Sequence, residues 1–187
     1  MAEREEGAIT HQKTFASSIR IFVALVVLFA FVLFIFPCWS HPILYWDEVS
    51  AASTEFGVPA YFIYAVIKTE SGFRRNAVSP KGAVGLMQIL PSTYEEIKQE
   101  LAIEGNDLTE PRDNIRAGTY YLAKLYRKFG NWDIALAAYN AGIGAVSKWL
   151  EDDPTLESIP YPETDRYVIL VNRAYREYLR LYNRRFS

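Results

Sequence analysis

The chain has 187 residues, one cysteine, two histidines and nearly balanced charge, with 20 Lys and Arg against 22 Asp and Glu. That length supports one ordinary domain with residues to spare, and the balance argues against nucleic-acid binding, which shows as a basic excess. One cysteine excludes an intramolecular disulfide. His11 and His41 both lie towards the N-terminus, so the remainder has no His-based metal site and no Ser-His-Asp triad.

The spare residues come first. Residues 21–36, IFVALVVLFAFVLFIF, are uniformly apolar, and PCW extends the run to Trp39. Nineteen helical residues rise about 28 Å, close to the roughly 30 Å hydrocarbon core of a bilayer. The expectation is a short cytoplasmic N-terminus over 1–20, a transmembrane signal anchor over 21–39 and an external domain over 42–187. No small-x-small cleavage site follows the run, and Phe36 and Pro37 do not match the small residues expected before a lipidated cysteine at Cys38. Lys13 and Arg20 before the span, with Asp47 and Glu48 first after it, favour an N-terminus inside and the domain outside.

Beyond residue 42 the apolar spacing is helical throughout, which predicts an all-α domain of many short helices. ILYWDEVSAASTEFG places Leu44, Tyr45, Val49, Ala52 and Phe56 at helical intervals, with Gly57 as a stop. PAYFIYAVIKTE starts at Pro59 and is apolar on nearly all sides, the pattern of a central buried helix. In PSTYEEIKQELA, Ser92 and Glu95 have capping-box spacing. A long amphipathic helix runs from about Pro111 to Gly130, then a helix with Asn131 as N-cap and Gly142 as stop, then a short one to Leu150. EDDPTLESIPYPET reads as a loop. In the final segment Tyr167, Val168, Val171, Tyr175, Tyr178 and Tyr182 keep helical spacing.

The stretch KTESGFRRNAVSPKGAVGLMQILP, residues 68–91, carries the chemistry. Glu70 falls three, four and seven residues after Ile67, Val66 and Ile63, so it continues an apolar stripe. A carboxyl there is partly desolvated, which raises its pKa and suits it to act as a general acid. Gly72, Gly82 and Gly85 mark a structured turn system. Gln88 offers an amide donor and acceptor for a sugar, and Ser79 a hydroxyl for a carboxylate or a substrate. Ser71 and Ser92 are read as loop stabilisers. Tyr139 and Asn140 stand at a helix end, where they can face a cleft.

The motifs ESGF, SPKGAVGLMQILP, AAYNAG and IPYPETDRYV occur in the order found in soluble-lytic-transglycosylase-like (SLT) domains, and residues 42–180 resemble that family. The resemblance implies a lysozyme-like fold of the goose-type/SLT kind. It also implies non-hydrolytic cleavage of the MurNAc-β-1,4-GlcNAc bond of peptidoglycan glycan strands, giving 1,6-anhydroMurNAc ends without metal or organic cofactor. On that reading Glu70 matches the single catalytic acid/base, while Ser79, Gln88, Tyr139, Asn140, Glu163 and Tyr167 match substrate-cleft positions. The family's usual ETRxYV is here ETDRYV, with Asp165 at the arginine position and Arg166 one place later; one residue turns a helical side chain by roughly 100°. Two alternatives use the same scaffold. One is a goose-type muramidase, with Glu163 as the base carboxylate an inverting hydrolase requires; the other is an inactive peptidoglycan-binding or assembly module.

Overall fold

The structure is a computed structural model and describes residues 19–32, 39–156 and 158–182. It divides into two compact units, Met1–Pro42 and Ile43–Ser187. In the first, residues 19–30 are α-helical and 31–32 continue as π-helix. Among the described residues no helix is long and apolar enough to cross a membrane. The expected 21–39 span includes residues 33–38, which lie outside the described residues, as do 1–18 of the expected N-terminal segment.

The second unit is all-α: α1 (Trp46–Phe56), α2 (Ala60–Glu70), α3 (Pro91–Leu101), α4 (Pro111–Phe129), α5 (Trp132–Ala141), α6 (Ile143–Asp152) and α7 (Pro162–Tyr182). Its described residues form no strand beyond two isolated antiparallel bridges, Val78 with Val84 and Val84 with Ile89. Every residue of α2 from Phe62 to Ile67 is buried, because α7 and α1 pack against it. Aromatic side chains make the α2–α7 seam: Phe62 meets Tyr175 edge-on at 5.2 Å between ring centroids, and Tyr64 stacks on Tyr178 at 5.5 Å. Such pairs contribute about 0.5–1.5 kcal/mol each beyond the area they bury.

Local chemistry sets the ends of the elements. Gly57 closes α1 at φ 71°. α4 starts with Pro111 and has Asp113 in its first turn and Arg127 and Lys128 in its last, an arrangement that complements the helix dipole. Asn131 then opens α5, its side-chain oxygen accepting the N–H groups of Asp133 at 2.8 Å and Ile134 at 3.2 Å.

Two boundaries differ from the sequence reading. The Ser92–Glu95 capping box does not form. Pro91, pre-set for the first helical position, moves the start of α3 upstream, so that Leu90 is the N-cap without a side-chain bond and Ser92 is the second helical residue. Likewise α7 begins at Pro162, inside the stretch read as a loop, with Glu163 and Asp165 in its first turn, where acidic side chains are favoured.

These caps make a paired test. Asn131→Ala is expected to cost about 1 kcal/mol by chemical denaturation, and Ser92→Ala less than about 0.5 kcal/mol; equal losses would contradict the capping geometry.

Candidate active site

Glu70 is the last residue of α2. Because the helix is enclosed almost to its end, the Glu70 carboxyl emerges from the core and is only partly exposed. Burial pushes it from 4.5 up to about 7, against the pull of the Tyr167 hydroxyl. That hydroxyl is itself buried and closes no hydrogen bond of normal geometry. Desolvation, with Glu70 nearby, also raises the phenols of Tyr139 and Tyr167 well above their ordinary value, so both remain neutral around the carboxyl.

The chain after Glu70 forms one wall of a cleft. Ser71 is buried, and its hydroxyl bonds the carbonyls of Ile67 at 3.2 Å and Leu86 at 2.8 Å, a stabilising role matching its sequence reading. Further along, Gln88 holds the left-handed conformation at φ 50°, an uncommon state for a non-glycine residue. Its amide nitrogen donates to the carbonyls of Ala77 at 3.0 Å and Gly85 at 2.8 Å. The donor half of Gln88 is thus committed to the loop, contrary to the expectation that both halves face substrate, and its carbonyl oxygen is the group left to accept.

This wall hangs on a residue that sequence reasoning missed. Asn114, fully buried on α4, accepts the Met87 N–H at 2.8 Å and donates to the carbonyls of Val84 at 3.0 Å and Leu108 at 2.8 Å. The approach is close enough that a Cβ on Gly85 would stand 2.5 Å from the Leu108 carbonyl, and one on Gly118 would stand 2.7 Å from the Met87 Cβ. The available signal was a polar residue on the inward stripe of Pro111, Asn114, Ile115 and Gly118. The carbonyl of the same residue, Met87, accepts the Tyr139 hydroxyl at 2.8 Å.

Between these walls lies a cavity of about 320 Å³ lined by Glu70, Ser79, Gln88, Tyr139, Asn140 and Glu163, with Pro80, Lys81, Ala83 and Leu90. Six of the seven residues singled out in the sequence therefore share one cavity; Tyr167 lies behind Glu70 and does not line it. The Ser79 oxygen accepts the Ala83 N–H at 3.0 Å, which leaves its hydroxyl hydrogen to donate. The Thr164 hydroxyl donates to the Asn140 side-chain oxygen at 2.8 Å, tying the start of α7 to the end of α5 and leaving the Asn140 amide nitrogen as a donor. Glu163 stands at the lip, 79% exposed and 3.9 Å from Lys81. Arg166 is exposed and forms no ion pair among the described residues. A second cavity, of about 310 Å³ against α1 and α4, shares no residue with the first and holds the Glu55–Arg116 ion pair.

A helical domain with a half-buried glutamate opening on a cleft is the lysozyme-like arrangement, and the comparisons specify it further. The family described as transglycosylase SLT domain matches residues 47–161, and the chain belongs to that family. It is 36% identical over 159 residues to the soluble lytic murein transglycosylase of Escherichia coli (strain K12), covering 75% of this chain and 25% of that protein. It is 29% identical over 169 residues to the membrane-bound lytic murein transglycosylase C of Actinobacillus succinogenes (strain 55618), covering 73% and 47%. Among solved structures, an inactive Glu-to-Gln variant of lytic transglycosylase Slt from Pseudomonas aeruginosa superimposes with a TM-score of 0.71 at 34% identity, covering 76% of this chain and 25% of that one. The 70-kDa soluble lytic transglycosylase of Escherichia coli does so with a TM-score of 0.69 at 35% identity, covering 75% and 25%. The chain thus spans between a quarter and a half of the length of these relatives.

Two outcomes are expected of the site. Since the Glu70 carboxyl holds its proton more tightly folded, near 7, than unfolded, near 4.5, its contribution to stability is present at low pH and is lost as pH rises from 4.5 to 7. The resulting penalty is at most about 3 kcal/mol. Glu70→Gln is therefore expected to be more stable than the parent at pH 8, with the gap closing towards pH 4, in denaturation followed across pH. Asn114→Ala leaves the Met87 N–H buried and unpaired, and is expected to cost about 1–3 kcal/mol in the same assay.

Proposed function

We propose that the chain is a peptidoglycan lytic transglycosylase that cleaves the bond between N-acetylmuramic acid and N-acetylglucosamine without water as acceptor. The observation that carries this reading is the Glu70 carboxyl, raised by burial to about 7 at the edge of an open cleft. Such a group is part protonated near neutral pH, so it can give a proton and later take one back.

In the first step Glu70 protonates the glycosidic oxygen, and the bond from that oxygen to C1 of the muramoyl sugar breaks. The substrate's own N-acetyl group supports the positive charge at C1, as in substrate-assisted glycosidases that use one protein carboxylate. Glu70, now a carboxylate, takes the proton of the C6 hydroxyl while that oxygen bonds to C1, closing the 1,6-anhydro ring and regenerating the acid. Ser79 and Asn140 supply donors to the sugars and Gln88 an acceptor. Tyr139 holds the loop wall and Tyr167 backs the carboxyl. The exposed position of Glu163, turned towards Lys81 at the lip, supports its role as a substrate-binding group and the one-carboxylate scheme over hydrolysis.

The same reading makes the apolar N-terminal segment a single-pass anchor, with the domain on the extracytoplasmic side where its substrate lies. In support, Phe22, Leu25, Val27, Leu28 and Phe29 each leave at least half of their surface uncovered, an apolar display that lipid would cover, and one relative is named as membrane-bound.

The test is mass spectrometry of purified peptidoglycan digested by the protein. Muropeptides lighter by one water than hydrolysis products are expected, and none with Glu70→Gln. Reducing-end products would establish the muramidase, and unchanged turnover in Glu70→Gln would overturn the assignment of Glu70.

A further inference from the structure

The cavity is unevenly charged. Among the described residues that line it, Lys81 is the one cation, set against two carboxylates, Glu70 and Glu163. Its placement is built into the backbone. Ser79, Pro80, Lys81 and Gly82 form a turn closed by the Gly82 N–H on the Ser79 carbonyl at 2.9 Å, and the Ser79 N–H on the Ala83 carbonyl at 2.9 Å braces its base. Serine first, proline second and glycine fourth suit a type I turn, whose second position the proline ring pre-sets. Lys81 is thus presented at the tip of a stiff turn while its side chain is 79% exposed.

Its partner holds it loosely. Glu163 is equally exposed and 3.9 Å away, and an ion pair in that setting is screened by water and salt and contributes little to stability. The two residues come from opposite walls, the loop and the first turn of α7. An arriving carboxylate can therefore take Lys81 from Glu163 at small cost, with no rearrangement of the backbone. In intact strands the lactyl carboxyl of each muramoyl sugar is tied up in the amide to its stem peptide, so the sugars offer uncharged hydroxyl and N-acetyl groups and the free carboxylates are carried by the stems.

Resting on the transglycosylase reading above, we propose that Lys81 is a specificity-determining residue that selects strands whose stem peptides carry free carboxylates over strands whose stem carboxyls are blocked as amides. Glu163 holds the ammonium in place until substrate arrives. The lysine stem has four carbons and rotatable donors, which suits a flexible peptide better than a fixed fork would.

The test uses the full chain carrying Glu70→Gln, so that binding is read without turnover. Dissociation constants are measured for soluble glycan strands with their stems and for the same strands after their stem carboxyls have been converted to amides, with lysine, Arg, Met or Glu at position 81. The parent is expected to prefer strands with free stem carboxylates, and Lys81→Arg to keep the preference. Lys81→Met is expected to reduce it about five- to tenfold and Lys81→Glu further, with the parent's preference shrinking as salt is raised. The same preference in all four proteins, or no preference in the parent, overturns the proposal. Failure of the transglycosylase reading would show separately, as the absence of anhydro products from the protein with Glu70 intact.

Discussion

A carboxyl that must be both dehydrated and reachable is the constraint on which this structure turns. An acid at the end of an ordinary surface helix is fully hydrated and keeps its usual pKa. Glu70 differs because the helix that carries it is buried on every side from Phe62 to Ile67, so that its final turn leaves the core directly into the cleft. The aromatic stripe of α7 that wraps α2 serves that end as much as it serves stability. The same helix also supplies Tyr167 behind the carboxyl, and its first turn supplies Glu163 at the lip.

The opposite wall meets the complementary constraint, that a loop should be as well placed as a helix. Met87 is gripped on both sides of its Cα, its N–H by Asn114 of α4 and its carbonyl by the Tyr139 hydroxyl of α5. One residue thereby ties the loop to both α4 and α5. Gln88, the next residue, holds an uncommon backbone. Its left-handed conformation lets the side-chain amide fold back onto Ala77 and Gly85, and those two bonds offset the local strain.

Much of this was legible in the sequence wherever the signal was local or periodic. Gly57, Asn131 and Gly130 mark ends that need only their own backbone geometry, and they fell where expected. Glu70 was conspicuous because its place on an apolar stripe is a matter of spacing alone. Ser92 misled because a capping pattern and a proline competed for the same turn, and proline, with its φ already fixed, set the register. Asn114 and the inward turn of the Gln88 amide were illegible for a different reason. Besides the nearer Leu108 and Gly85, their partners lie 27 and 30 residues away for Asn114 and 11 residues away for Gln88, and no periodicity reports on those distant contacts.

The cavity finally shows one kind of side chain given two characters by its surroundings. Glu70 and Glu163 line the same space, yet one sits at the end of a buried helix among neutral phenols and the other stands 79% exposed beside a lysine. Where water is excluded, transferring a proton changes the energy of the site strongly, so a carboxyl there is suited to acid and base chemistry. At the lip, water and salt weaken every charge, and what remains is a soft, exchangeable attraction suited to sorting substrates. The depth of each carboxylate, set by whether it closes a core helix or opens a surface one, is therefore what sets their chemistry apart.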